Sequence, residues 1–194
     1  MPTIKVHPDQ NRNSDPTGPG VAERRVPTAR TAWHASFAAG SAVNATAGFT
    51  NPDATQVPPI ADRSVALNLA TGGTVGAYVI VGTFDGAEVT ETITTVVNAW
   101  ADGDQPFDTI ESIAGPDPGA VLQMMQGDAV CNPPARALYT GDGGDCAYLL
   151  SNEAPPAEAA DKQDRNLPAG VDHSRRFKRV YMSTTPPDNM RLVW

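Results

Sequence analysis

The chain has 194 residues and a formal net charge of −8, and hydrophobic residues make up 40% of it but aromatic residues only 6%. Its 17 glycines and 18 prolines exclude a long coiled coil or a helical bundle, because both residue types disrupt helices. No run reaches the roughly 20 apolar residues that a membrane-spanning helix needs. This length fits one domain with long appendages or two very small domains.

The negative charge is concentrated in the middle of the chain. Residues 64–135 contain no Lys or Arg, whereas the flanking segments are nearly neutral. The acidic residues of this middle segment are Asp85, Glu88, Glu91, Asp102, Asp104, Asp108, Glu111, Asp117 and Asp128. Such a segment argues against nucleic-acid binding, which needs clustered Lys and Arg. It fits either a solvated, solubilising face or a surface that meets a basic partner.

The first residues carry no sign of a secretory signal, because Met1 to His7 lack an apolar stretch of roughly 7–15 residues. We therefore expect a protein that is made in a cytoplasm and stays there or in an assembly formed there. Cys131 and Cys146 are the only cysteines, and in a reducing compartment two thiols are expected. A disulfide that closes the Pro- and Gly-rich loop between them is the alternative.

Composition divides the chain into three regions. Residues 1–31 predict an extended arm, because five prolines and a run of turn-forming residues exclude a helix or an inner strand. Residues 32–150 predict a body of short strands with turn signals, typical of an all-β sandwich of jelly-roll or immunoglobulin-like type. Residues 151–194 predict an irregular extension that packs on the body or on a neighbouring subunit. No repeat of fixed period is visible.

The clearest local signal is a β-hairpin across Asp85-Gly86, a strong turn dipeptide between two β-branched runs. Alternation predicts one buried face on the first strand and one on the second. The buried faces comprise Tyr78, Ile80, Gly82 and Phe84, and Val89, Glu91, Ile93, Thr95 and Val97. Glu91 is out of place on an apolar face, which suggests that it lies near a sheet edge.

Weaker patterns predict further elements. Residues 33–49 and 64–69 favour extended structure, as do residues 106–113 with Phe107 and Ile113 inward. Residues 120–125 predict a strand or one helical turn. Residues 139–140 and 147–150 are predicted to pair, residues 157–162 to form a short helix, and residues 176–182 to form an edge strand.

Catalytic patterns are absent from the sequence. The three histidines, His7, His34 and His173, are scattered, and no Gly-x-Ser-x-Gly motif is present. The glycine-rich residues 72–76 lack the Lys of a phosphate-binding loop. Asp102-Gly103-Asp104 and Asp142-Gly143-Gly144-Asp145 offer oxygen ligands for calcium, but such Asp-Gly pairs are mostly turns. We expect no enzyme and no cofactor.

The segments 82–93 and 107–113 resemble small β-sandwich domains of structural proteins in tailed-bacteriophage particles. These domains commonly read Gly-Thr-Asp, a turn, Thr-Glu-Thr-Ile or Leu, and then Phe-x-x-Ile-x-Ser-Ile. Here Phe84 replaces the usual polar turn residue, and the match spans about residues 75–115. The resemblance implies a component of the virion, either a capsid decoration (cement) protein or a neck or tail protein.

The sequence and this resemblance together predict a non-enzymatic virion protein, foremost a decoration protein that stabilises the head lattice through its arm and C-terminal extension. Its partners would be the major capsid protein or other virion subunits, and it would form a homo-oligomer or symmetric assembly. Aromatic and Arg side chains concentrate interface energy, although ordinary core packing is the alternative for each aromatic residue. The predicted contact residues are Trp33, Phe37, Arg175, Arg176, Phe177, Arg179 and Trp194.

Two other functions fit the sequence. One is a neck, tail or baseplate subunit of the same kind of particle. The other is a carbohydrate- or cell-surface-binding module that uses Tyr139, Tyr148 and the loop from Asp142 to Asp145. The basic run at residues 175–179 is short and offset by acidic residues, so it suits contact with an acidic partner better than with nucleic acid.

Overall fold

The computed structural model describes residues 23–26, 29–50, 62–140, 144–153, 164–167, 170–173, 175–181 and 190–193. Over these residues the chain is all-β, as the sequence predicts, and no helix long and apolar enough to cross a membrane is found among them. The strands are β1 (Glu23–Arg25), β2 (Ala32–Phe37), β3 (Val43–Ala45), β4 (Arg63–Leu69), β5 (Ala77–Phe84), β6 (Ala87–Thr94), β7 (Trp100–Asp102), β8 (Thr109–Gly115), β9 (Leu122–Ala135), β10 (Ala137–Thr140), β11 (Gly144–Leu150), β12 (Asp164–Leu167), β13 (Val171–His173), β14 (Phe177–Val180) and β15 (Met190–Val193).

The chain forms two compact units. The inserted unit comprises Ala29–Ala54 and Asp62–Val130, and the terminal unit comprises Met1–Thr28, Thr55–Ala61 and Cys131–Trp194. The chain leaves the inserted unit within β9, whose residues from Cys131 onward belong to the terminal unit. In sequence, the inserted unit therefore interrupts the terminal unit between β1 and the end of β9.

The inserted unit is a jelly-roll sandwich of two four-stranded sheets. One sheet has the order β2-β9-β4-β7 and the other has the order β3-β8-β5-β6. If the eight strands are numbered 1 to 8 from β2, one sheet has the order 1-8-3-6 and the other has the order 2-7-4-5. This order defines the jelly roll. It differs from that of an immunoglobulin fold.

The core of the inserted unit lies between these two sheets. Leu67 and Met124 from one sheet and Ile80 and Ile113 from the other belong to the same buried cluster. Burial of each such side chain contributes about 1.5–3 kcal/mol to stability. The alternation predicted for the hairpin is confirmed, because Tyr78, Ile80, Gly82 and Phe84 are all buried on β5.

The strands of the terminal unit have the same order. One sheet is β1-β15-β10-β13, and in the other β9, β14, β11 and β12 are neighbours in turn. If β1 is counted as strand 1 and the end of β9 as strand 2, these two sheets also have the orders 1-8-3-6 and 2-7-4-5. The sequence shows no repeat, yet the topology occurs twice.

The two units divide the chain differently from the predicted regions 1–31, 32–150 and 151–194. Within residues 1–31, Glu23–Arg25 form a strand that pairs with β15, and Ala29 to Thr31 belong to the inserted unit. Within residues 151–194, expected to be irregular, four strands are present, namely β12 to β15. Residues 1–22 and the predicted helix at 157–162 lie outside the described residues.

Two strand predictions for the terminal unit were wrong. Residues 139–140 and 147–150 do not pair, because β10 and β11 belong to different sheets, as the third and fourth strands of a jelly roll must. β14 is not an edge strand, because it lies between β11 and β9. Its basic residues do not share one solvated face, because Lys178 is exposed whereas Arg179 and Val180 are both buried.

Candidate interaction surface

Four loops meet at one end of the inserted unit. The strands alternate in direction, so that the connections β2–β3, β4–β5, β6–β7 and β8–β9 all emerge on the same side. We call this surface the loop end. It comprises residues 38–42, 70–76, 95–99 and 116–121.

Backbone hydrogen bonds hold three of the four loops together. Thr74 N donates to Pro118 O at 2.7 Å, and Thr95 N donates to Gly76 O at 2.9 Å. Further bonds join Ala70 N to Val121 O at 3.0 Å and Asn98 N to Leu69 O at 2.8 Å. Because the loops brace one another, the surface is preformed, and a partner that docks there does not have to order it.

The loop end contains a single ionisable residue, Asp117. Its Oδ1 accepts hydrogen bonds from Gly40 N at 3.0 Å and from Gly119 N at 2.8 Å. The carboxylate therefore links the β2–β3 loop to the β8–β9 loop. Asp117 is exposed, so the loop end carries this one negative charge, whose Oδ1 is bound by the two amides.

Exposed valines cluster in the same loops. Val75 is 54% exposed, Val96 is 50% exposed and Val121 is 48% exposed. Among the described residues, one other large hydrophobic side chain is exposed. This is Val79 on β5, which is 40% exposed. Exposed alanines at positions 38, 39 and 42 extend the apolar character of the loop end. Clustered exposed apolar groups of this kind mark interaction surfaces.

The opposite end of the inserted unit carries Asp85, Glu88, Asp104 and Asp108. There the β5–β6 turn and the loop at residues 103–108 lie together, since Asp85 N donates to Asp108 Oδ2 at 2.7 Å. Glu91, on the edge strand β6, accepts hydrogen bonds from the backbone N of Asp104 and, at 3.3 Å, of Gln105. This contact explains an acidic residue on an otherwise apolar face. The two ends of the unit thus differ sharply in charge.

Two of the nine acidic residues are neutralised inside the unit. Arg30 forms a two-point ion pair with Asp102, at 2.6 Å from Nη1 to Oδ1 and 3.0 Å from Nη2 to Oδ2. Its Nη2 also lies 3.8 Å from Oδ1 of the buried Asp128. Arg63, fully buried, donates from Nε to Gly127 O at 2.5 Å. The arginines come from outside residues 64–135, so the charge pattern of that segment does not predict these contacts.

The predicted contact residues of the inserted unit are mostly internal. Trp33 is buried in the sandwich core. Phe37 is half-buried and stacks on the His34 ring, with centroids 4.3 Å apart and an interplanar angle of 6°. Phe49 covers the same imidazole at 5.5 Å. His34 is therefore part of an aromatic cluster rather than a catalytic pair.

In the terminal unit, the predicted basic and aromatic residues fall into two groups. Arg175 and Arg176 are exposed. Phe177 is buried against the edge of the Tyr148 ring at 5.0 Å, and Arg179 is buried with its guanidinium 5.5 Å from the Tyr181 ring centre. Trp194 lies outside the described residues.

The fold does not bring together the described residues that were predicted for the alternative sites. Tyr148 is buried on β11, whereas Tyr139 lies on β10 in the other sheet, so they do not form a stacking platform for a sugar. Asp142 and the side chain of Asp145 lie outside the described residues, as do His7 and the side chain of His173. In the described part of the chain, no three His, Cys, Asp or Glu residues converge on a metal position. Cys131 and Cys146 are buried thiols.

Tyr78 gives the inserted unit a testable dependence on pH. Its hydroxyl is buried and has no hydrogen-bond partner among the described residues. Burial raises the pKa of Tyr78 above its ordinary value near 10, and the Asp117 carboxylate raises it further. The folded state thus disfavours the phenolate. The resulting contribution to stability is complete below about pH 10 and is lost as the pH rises through the raised pKa.

We expect Tyr78→Phe to unfold in urea at pH 7 with a free energy equal to or about 1 kcal/mol above that of the wild type, because it removes an unsatisfied hydroxyl. Between about pH 9 and pH 11 the wild type should lose more stability than this variant. Tyr139→Phe, in the terminal unit, is the control. Identical pH profiles for Tyr78→Phe and the wild type would contradict the assignment.

Comparisons of the chain with protein-family models, with curated proteins and with solved structures find no match.

Proposed function

We propose that this chain is a non-enzymatic structural subunit of a tailed-phage virion, a decoration protein that docks on the head through the loop end of its inserted unit. The observation that carries the proposal is the contrast between the two ends of that unit. One end is braced and apolar, with Asp117 as its single charge, and the other carries Asp85, Glu88, Asp104 and Asp108.

The loop end has the properties of a docking surface. It comprises about two dozen residues, which is the number that one partner contributes to a stable interface of standard size. Depletion of charge at the centre of such a surface lowers the cost of desolvation. The acidic end would face solvent and keep a chain of net charge −8 soluble.

The fold and the resemblance both support the proposal. Jelly rolls build viral capsid proteins, but also lectins and cupins, so topology alone does not assign a function. The phage-like segments, about residues 75–115, include β5, β6 and β8 of the inserted unit. The proposed location is the virion, after synthesis in the host cytoplasm.

The proposal is tested by adding the purified protein to particles assembled without it and separating bound from unbound protein by sedimentation. Binding to isolated heads at a fixed number of copies per capsid subunit is the expected result. Binding to isolated necks or tails instead would favour the neck or tail alternative. Absence of binding to heads, necks and tails would overturn the proposal.

A further inference from the structure

The edge strand β6 presents an open hydrogen-bonding edge. In the described part of the chain, β6 pairs only with β5, and their eight-residue register contains no bulge. Natural proteins usually protect a long edge with proline, lysine, a bulge or a covering segment. The sequence of β6, Ala-Glu-Val-Thr-Glu-Thr-Ile-Thr, contains neither proline nor lysine. Its inward-facing charge, Glu91, is bound by backbone N–H groups of the same chain.

The hairpin turn fixes which backbone groups lie on that edge. Asp85 and Gly86 have φ values of 53° and 74°, as in a two-residue turn whose flanking residues form a hydrogen-bonded pair. Ala87 and the alternate residues after it therefore bond to β5, as does Thr95 N, which donates to Gly76 O at 2.9 Å. The N–H and C=O groups of the residues between them point away from β5. These residues are Glu88, Thr90, Thr92 and Thr94.

The side chains on this strand favour an uncharged pairing surface. Thr90, Thr92 and Thr94 are exposed. Glu91 points to the other face, where the backbone N of Asp104 and Gln105 bind its carboxylate. Glu88, at the start of the strand, is the outward-facing charge. Three threonines in a row can pack against an identical row, because Thr–Thr pairs across strands are favourable.

We propose that β6 pairs antiparallel with β6 of a second copy of this chain, about a two-fold axis at Thr92. In this register Thr92 faces Thr92 and Thr90 faces Thr94, so that groups already directed at the edge form hydrogen-bonded pairs. The Glu91 carboxylate then lies across from Ile93. A register centred on Glu91 would place two carboxylates opposite each other, and one centred on Thr90 would bring Glu88 into the pairing.

A second copy can hydrogen-bond to this edge because its own β6 has the same length and directs the N–H and C=O groups of the same alternate residues outward. It also brings the same row of exposed threonines. A self-complementary contact of this kind is what a two-fold interface requires. The inference does not depend on the proposed function, because it concerns a different surface from the loop end.

The test is the solution mass of the full chain by light scattering, for the wild type and for two charge variants. We expect the wild type to have twice the 20.4 kDa mass of one chain. Thr92→Lys and Thr92→Glu should each weaken dimerisation at least about tenfold, because position 92 faces its own copy and like charges then lie opposite. An equimolar mixture of the two variants should recover the dimer. Ala114→Lys, an exposed position on β8, is the control and should remain dimeric.

The proposal would be overturned if the wild type is monomeric at about 100 μM, because even a dimer of weak affinity would form at this concentration. Dimers that both Thr92 variants retain would also overturn it, because the pairing would then use another surface. Circular dichroism of each variant establishes that the β-fold is intact. Failure of the mixture to recover the dimer would reject the register centred on Thr92.

Discussion

A double variant with lysine at Val96 and Val121 is expected to lose binding to phage heads by at least about a hundredfold. Both valines are about half exposed on the loop end, where they would become buried in the proposed contact. Burial of an unpaired ammonium group costs several kcal/mol, and each 1.4 kcal/mol is a factor of ten in affinity. The measurement is a binding isotherm by sedimentation with heads that lack the protein.

The control is Val79→Lys, which adds one of the same charges at an exposed valine outside the loop end. This variant should bind heads within about threefold of the wild type, because surface substitutions away from an interface change the free energy by less than about 0.5 kcal/mol. If Val79→Lys abolishes binding while the Val96 and Val121 variant retains it, the outer face of β5 is the docking surface and the loop end is not.

The second large effect concerns the stability of the inserted unit. Asp102→Asn should lower its free energy of unfolding by about 3 kcal/mol, since removal of this carboxylate leaves the largely buried Arg30 with only its longer, 3.8 Å contact to Asp128. The Arg30 and Asp102 side chains are only 12% and 7% exposed. Urea unfolding followed by tryptophan fluorescence measures this loss, because the Trp100 ring lies 5.0 Å from the Arg30 guanidinium.

Glu88→Gln is the matched control, because it makes the same acid-to-amide change at an exposed position. Its stability should stay within about 0.5 kcal/mol of the wild type. Equal losses for Asp102→Asn and Glu88→Gln would show that the ion pair contributes little.

Local patterns predicted individual strands and their buried positions. The Asp85-Gly86 turn and the alternation on either side of it place Tyr78 and Ile80 in the core, and the structure confirms both. Extended structure at residues 64–69 and the inward positions of Phe107 and Ile113 are also confirmed. In these cases the signal is the local residue pattern, although the strands pair with distant parts of the chain.

Long-range pairing was not predictable from a single sequence. β1 and β15 pair although almost the whole chain separates them, and one jelly roll interrupts the other. The passage between units within β9 lies five residues before the end of the segment that lacks Lys and Arg, and no linker marks it because the strand continues across it. Arg30 illustrates the same limit, since its partner Asp102 lies 72 residues away.

The loop end was also hidden from sequence analysis. Each of its loops shows mainly small and apolar residues, which by themselves indicate a turn. Their meaning depends on strand directions that bring residues 38–42 beside residues 116–121. The aromatic residues that sequence analysis favoured as contacts, Trp33 and Phe177, are instead buried in the cores of their own units.

Hydrogen exchange of the full-length protein, alone and bound to heads, tests the central claim most directly. The account predicts that binding slows exchange in residues 38–42, 71–76, 95–99 and 116–121, and leaves residues 85–88 and 103–105 unchanged. Protection confined to the acidic end, with no change in the four loops, would contradict it.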